Sequence, residues 1–539
     1  MKSNCIFIAL FFSGFITQAQ QKNSNEFTVI ASLKKNINFL ADDKLEGRRT
    51  GTAGEKLAYE FIQNEFKNAG LKRFTTAKKY VQEFEVNEGK MIGTNTSFII
   101  GDTSYTENGL FFPFAFSGNL ASTKLETIKK DIAFFDLADL LKENLNNPHF
   151  DLQEKIRSVC NDQVSKNKKL VIFSNSGTIK HDLKFDDKDK SVQLSIPVIY
   201  VKDLIKSSLG GDLSLATLAV SVISKIKYGH NVIGFINNKA AYTIILGAHY
   251  DHLGYGEDHN SLYTGSVPMI HNGADDNASG TAALIELAKQ LKKSTYKKYN
   301  YLFVSFSGEE LGLFGSKYFT DHAGLDLKTV NYMINMDMVG RLNDSTHGLT
   351  IGGYGTSPTW GKIINTKNTY FKINADSSGS GPSDHTSFYK KDIPVLFFFT
   401  GSHKDYHKPT DDADKINYAG EYKIIEYIEN IIAQTNEMDK LAFTKTRDVS
   451  MGKSSFRVSL GIMPDYTFTG NGVMVDGVSE NRPAIKAGIK MGDVLMQLGD
   501  HKFSDVQTYM DALNKFNKGE TTKVKVMRGK EMFEFMVTF

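Results

Sequence analysis

The stretch Tyr242-Thr243-Ile244-Ile245-Leu246-Gly247-Ala248-His249-Tyr250-Asp251 reads as an apolar strand, Tyr242 to Ala248, that ends in an imidazole and a carboxylate. Working outward, Tyr301 to Phe306, Val330 to Met336 and Val395 to Phe399 are further apolar strands. Amphipathic helices alternate with them. Ser279 to Lys293 sets Leu284, Leu287, Ala288 and Leu291 on one face, and Tyr418 to Thr435 closes the series. Strand–helix alternation predicts an α/β fold, with a mainly parallel, mixed sheet and helices on both faces. Ligands of such sheets bind at the carboxyl ends of the strands.

Potential metal ligands sit at those ends. His249 offers a neutral imidazole nitrogen. Asp251, two positions on, lies on the same side of an extended chain, where it can accept the other imidazole N–H. Asn272-Gly273-Ala274-Asp275-Asp276-Asn277-Ala278-Ser279-Gly280 leads into a helix starting near Thr281, and a carboxylate there can bridge two cations. Phe306-Ser307-Gly308-Glu309-Glu310 follows the third strand. Adjacent carboxylates on extended chain point opposite ways, one to metal and one to substrate. Asn335-Met336-Asp337 and Asp405-Tyr406-His407-Lys408-Pro409 complete the series. Each motif alone is commonplace: an Asp pair in a turn, a Glu pair on a surface, a histidine with no chemistry. Together they are not explained by exposure, because charges so close to buried strands need partners or metal.

The set resembles the co-catalytic di-zinc aminopeptidase family, which includes aminopeptidase S, aminopeptidase Y and glutamate carboxypeptidase relatives. That resemblance implies the zinc exopeptidase fold and two Zn²⁺ per chain. It implies that Asp276 bridges both ions, that His249 and Asp337 complete one site, and that Glu310 and His407 complete the other. It assigns Glu309 as general base to a hydroxide between the metals, with Asp251 supporting His249. The Asp276–Asn277 bond is often cis in the family. The turn Leu45 to Thr52 and Ser383-Asp384-His385 also fit, with Asp384 and His385 on the substrate side. His252, His259 and His271 match no ligand position and read as loop or substrate-side residues. Two imidazoles and three carboxylates balance two dications once a hydroxide is added.

Glutaminyl cyclases share this fold and many of these ligands, carboxypeptidases occur among the relatives, and a retired peptide-binding protein is a third class. The motifs leave the first two open, while the complete ligand set with Glu309 speaks against the third. Neither a nucleophile elbow nor a His-Glu-x-x-His helix is evident.

At roughly 150 residues per domain, 539 residues suggest three or four domains. Lys2 followed by apolar Ile6 to Ile16 and Thr17-Gln18-Ala19 is the pattern of a signal peptide over 1–19, implying export to periplasm, surface or medium. With that removed only Cys160 remains, which excludes an internal disulfide and reads as a core thiol. No later run reaches the ~18 apolar residues of a membrane span. The 64 basic and 61 acidic residues nearly cancel, so no footprint for nucleic acid is visible. Residues 25–88 and 229–442 form the two parts of the α/β domain. Residues 89–228 resemble an inserted protease-associated domain, an α+β unit implying a lid or access role. After a polar linker at 443–455, residues 456–539 resemble a β-rich PDZ domain. Leu460-Gly461-Ile462 is similar to its carboxylate-binding loop, which implies capture of a peptide C-terminus or a partner.

Overall fold

The structure, a computed structural model, describes residues 25–74, 80–106, 110–142, 152–175, 181, 183–202, 215–258, 260–364, 367–446, 458–464, 471–478, 482–504, 506–513 and 515–539. The signal pattern at 1–19 and His259 lie outside the described residues. The chain divides into a compact unit over 85–227 and a second made of everything up to 84 and from 228 onward.

The larger unit is built on an eight-stranded sheet: β1 (Val81–Ile92), β2 (Val222–Ile236), β3 (Thr243–His249), β4 (Asn300–Phe306), β5 (Val330–Met336), β6 (Gly348–Gly352), β7 (Lys372–Ala375) and β8 (Val395–Phe399). Their spatial order is β1-β2-β4-β3-β5-β8-β6-β7. The central pairs β4–β3, β3–β5 and β5–β8 are parallel, while β2 and β6 join antiparallel. The strands read as unbroken apolar runs because alternate side chains enter two different cores. Ile244, Leu246, Tyr301, Phe303, Tyr332 and Ile334 pack with helices Ala53–Asn68, Gly280–Lys293 and Tyr418–Thr435. Ile245, Leu302, Val304 and Met333 pack instead with Phe319 and Phe388, from helices Phe314–Asp321 and His385–Tyr389. Register then places the site. His249 pairs with Phe306, and Met336 with Phe398, so the carboxyl ends of four neighbouring strands finish level.

Two features differ from expectation. Residues 25–40 form a helix whose apolar residues Leu33, Ile37 and Leu40 are fully buried in the main core. The first residues of the expected linker are pinned rather than free: Tyr389 Oη donates to the Thr446 carbonyl at 3.0 Å and accepts from the Thr446 N–H at 3.0 Å.

Residues 85–227 carry two four-stranded sheets. Ile132–Asp136, Leu170–Asn175 and Val198–Lys202 are parallel and pack against helix Leu152–Ser165. Cys160 lies fully buried in that core, and burial pushes its thiol up to about 12. Residues 458–539 have a separate core around Leu460, Val475, Leu495 and Val526, under strands Val473–Val478, Val494–Leu498, Thr521–Arg528 and Glu531–Thr538. Gly461 sits at φ +75° beside the Arg482 side chain, while Leu460 points into the core. Among the described residues no helix is long and apolar enough to cross a membrane.

Candidate metal centre

The turn Leu45 to Thr52 holds the site from below. Arg48 is fully buried, and its guanidinium donates to the carbonyls of Tyr250 (2.7 Å), Leu40 (2.6 Å), Asn272 (2.5 Å) and Gly273 (3.0 Å). One planar fork therefore ties the segment after β3 to the segment before Asp276. Thr50 follows on, its hydroxyl donating to Asp251 Oδ2 at 3.1 Å and accepting the Gly308 N–H at 3.0 Å. Glu55 accepts from the Ser307 and Tyr250 hydroxyls and from the His230 N–H.

Asp276 stands between two histidines. Its Oδ1 lies 3.4 Å from His249 Nε2, and its Oδ2 lies 3.2 Å from His407 Nε2. His249 Nε2 is also 3.5 Å from Asp337 Oδ1, and His407 Nε2 is 3.4 Å from Glu310 Oε2. The five residues His249, Asp276, Glu310, Asp337 and His407 are thus brought together as two triads sharing one carboxylate. The Asp276–Asn277 peptide bond is cis. Asp275 faces away, accepting from the Gly340 N–H (2.7 Å) and the Ser279 hydroxyl (3.0 Å) and approaching His403 (3.2 Å). Asp411, four residues past His407, accepts the N–H groups of Asp275 (2.9 Å) and Asp276 (3.0 Å), and its carbonyl accepts that of Ala274 (2.9 Å). His407 itself donates from Nδ1 to the Asn260 carbonyl at 2.8 Å.

Two expectations need correction. The nearest acceptor to His249 Nδ1 is the Asp251 carbonyl at 3.2 Å; the Asp251 carboxylate is 3.7 Å away, because Thr50 and the Glu309 N–H already occupy it. Glu309 and Glu310 do not diverge by strand alternation. Gly308, at φ +69°, starts a turn in which the Glu309 carbonyl accepts from Gly312 and Leu313.

The remaining residues read in the sequence fall in three places. Asp384 is buried at the start of helix His385–Tyr389, with both carboxylate oxygens lacking a hydrogen-bond partner among the described residues. Burial pushes it up to about 7, against the pull of His249. His385 stacks on Phe397 at 4.5 Å. His271 bonds Ser261 at 2.6 Å. His252, read as a loop residue, is fully buried, with Nδ1 2.8 Å from Glu310 Oε1. Arg48, Asp411 and His252 were missed as contributors. Only Arg48 carried a signal, through its place in a turn already singled out.

The electrostatics call for cations. Burial pushes Glu309 well above its ordinary value and Glu310 up to about 8, and the neighbouring carboxylates add to both. Burial draws His407 down, but Glu310 and Asp276 outweigh it and lift it to about 9. Carboxylates crowded this way take up protons unless a metal replaces them. The donor set fits. Two donors each about 2.0–2.1 Å from a tetrahedral ion lie roughly 3.3 Å apart, and the four imidazole–carboxylate separations run from 3.2 to 3.5 Å.

Residues 231–432 match the profile of Peptidase family M28, and residues 443–539 match that of the PDZ domain. Aminopeptidase YwaD of Bacillus subtilis (strain 168) is 30% identical over 241 residues, covering 42% of this chain and 48% of its own. Leupeptin-inactivating enzyme 1 of Streptomyces exfoliatus is 32% identical over 169 residues, covering 30% of this chain and 36% of its own. The chain thus spans about half or less of the length of these two relatives. Among solved structures, an aminopeptidase from Aneurinibacillus sp. strain AM-1 aligns with a TM-score of 0.43 and 23% identity, over 77% of this chain and 95% of that one. The match to Peptidase family M28 thus covers residues 231–432, the stretch that holds all five candidate ligands, and the match to the PDZ domain covers residues 443–539.

Proposed function

We propose that the protein is an exported metallopeptidase that removes N-terminal residues from peptides, using two zinc ions. The observation carrying this reading is the division of the Asp276 carboxylate between two histidines, each at the spacing of a shared tetrahedral ion. His249, Asp276 and Asp337 would hold one ion, and His407, Asp276 and Glu310 the other. Imidazole and carboxylate donors suit zinc. A pair of such ions supplies Lewis acidity, lowering the pKa of bound water and polarising a carbonyl.

Glu309 is the general base. Its N–H is anchored on Asp251, and it feels the charges of His249, Glu310, Asp337 and Asp384. From there it takes a proton from the attacking water and delivers it to the departing amine nitrogen. Asp251 holds the Glu309 N–H and Thr50 the Gly308 N–H before it, and Asp411 holds the Asp276 turn. The YwaD likeness supports amino-terminal specificity. The PDZ domain, through the loop at Leu460-Gly461-Ile462, captures peptide C-termini. Export rests on the pattern at 1–19, and the insert, expected at 89–228 and found as a compact unit over 85–227, is read as protease-associated.

Purified full-length protein incubated with unblocked and N-blocked peptides, with and without chelator, tests the reading. Chelator-sensitive loss of single residues from free N-termini is the expected result. Trimming from C-termini or ring closure to pyroglutamate would overturn it. Glu309→Gln is expected to retain both metals and lose nearly all turnover, and normal activity would remove Glu309 from this role.

A further inference from the structure

His252 is not one of the five candidate ligands, yet it is buried among them, and with Asp276 and Glu310 it forms a group close enough to hold an ion. Its Nδ1 is 2.8 Å from Glu310 Oε1 and 3.8 Å from Asp276 Oδ2. The first distance is shorter than the 3.2 to 3.5 Å that separate the histidine and carboxylate pairs of both triads. It is the length of a hydrogen bond, not of two donors around one ion. The imidazole is also fixed in place. A side chain at Gly273 would strike it, the nearest ring atom lying 2.4 Å from where a Cβ would sit. The His252 main-chain N–H reaches the Arg48 carbonyl at 3.4 Å, and the ring meets His407 edge-on at 5.9 Å. Its Nε2 is buried without a hydrogen-bond partner among the described residues. A neutral ring protonated on Nδ1 leaves only an acceptor there, which costs less than a stranded N–H.

We infer that His252 is a positioning residue for the second metal site: it donates from Nδ1 to Glu310 Oε1 and so presents Oε2 toward the ion shared with His407. This rests on the two-metal reading above. A ligating carboxylate with one oxygen held by a donor is orientationally locked, and loss of such a partner typically weakens metal binding about 10–100-fold.

The test compares His252→Asn, His252→Gln and His252→Leu in the full chain, dialysed against zinc buffered by a chelator and counted by elemental analysis. Asn places an amide N–H near the Nδ1 position, whereas Gln places it one methylene further and Leu offers none. Wild type and His252→Asn are expected to hold two ions, with affinities within about threefold of each other. His252→Gln and His252→Leu are expected to hold one ion tightly and the second about 10–100-fold more weakly, with unchanged far-UV circular dichroism. Wild-type affinity in both of the latter would overturn the inference. So would a cobalt(II) spectrum that changes in His252→Asn, since only a ligand alters the d–d bands directly. The Asn–Gln contrast stands even if Leu misfolds. A wild-type protein binding fewer than two ions would instead refute the two-metal reading, and with it this inference.

Discussion

Arg48 shows how much of the candidate metal site is held by a residue that offers no metal ligand. Its guanidinium satisfies four carbonyls drawn from three separate segments, at positions 40, 250 and 272–273. Burial pulls its pKa down to about 10, and the charge of Asp276 and Asp251 sustains the cation. Lysine keeps the charge but presents one nitrogen with three donors, so it cannot reach all four acceptors. Each buried carbonyl left unpaired costs about 1–3 kcal/mol. Arg48→Lys is therefore expected to destabilise the α/β domain by about 2–5 kcal/mol, seen as faster hydrogen exchange through 272–276 and release of metal at lower urea. Unchanged exchange in that segment would show that the fork is dispensable. The candidate ligands were legible in the sequence because Asp, Glu and His at strand ends are conspicuous against apolar runs. Arg48, His252 and Asp411 were not, because their importance lies in acceptors and donors supplied by distant segments. A hydrogen bond to residue 310 leaves no periodic trace around residue 252.

The helix Gly280–Lys293 begins with a glycine where alanine has the better intrinsic propensity, by about 1 kcal/mol. Packing overrides that preference. A Cβ on Gly280 would lie 2.4 Å from both the Asn277 Oδ1 and the Met336 carbonyl, atoms next to Asp276 and Asp337. Asn277 Oδ1 already accepts from the Gly280 N–H at 2.9 Å and from the Met338 N–H at 3.1 Å. Overpacking of this kind costs about 1–3 kcal/mol. Gly280→Ala is expected to be net destabilising despite its propensity gain, and to lower metal content below two ions per chain by elemental analysis. A more stable protein with full metal would show that the turn can yield. The strands and helices of the central domain were readable from the sequence, because burial on both sheet faces makes long apolar runs and the helices carry one apolar stripe. The helix at 25–40 was not. Its buried residues Val29, Leu33, Ile37 and Leu40 have helical spacing, but Lys34, Lys35 and the asparagines between them dilute the signal. The turn after β4 was misread as extended because Gly308 permits a left-handed conformation that the neighbouring Glu pair does not announce.

Every candidate ligand and every residue found to brace one belongs to the larger unit: Arg48, Thr50 and Glu55 before the insert, the remainder after it. The insert leaves from β1 and returns through β2, which neighbour each other in the sheet. Phe84 and Gly229 are in contact range, since a Cβ on Gly229 would lie 2.5 Å from the Phe84 ring. A linker of about four residues, the usual length between paired strands, can therefore close the gap left by removing 85–227. The interior of the insert is separate too: Phe98, Ile172, Ile199 and Leu218 form one cluster and Phe114, Phe173 and Cys160 another, neither shared with the sheet that carries the ligands. The shortened chain is expected to fold, to bind two metal ions, and to cleave a small amino-acid anilide with kcat/KM within about tenfold of the full protein. Elemental analysis and anilide hydrolysis measure the two outcomes separately. Loss of metal from a folded shortened chain would mean that the insert helps build the centre. Retention of metal with loss of anilide turnover would place a substrate-binding element in the insert, beyond any role in admitting longer peptides.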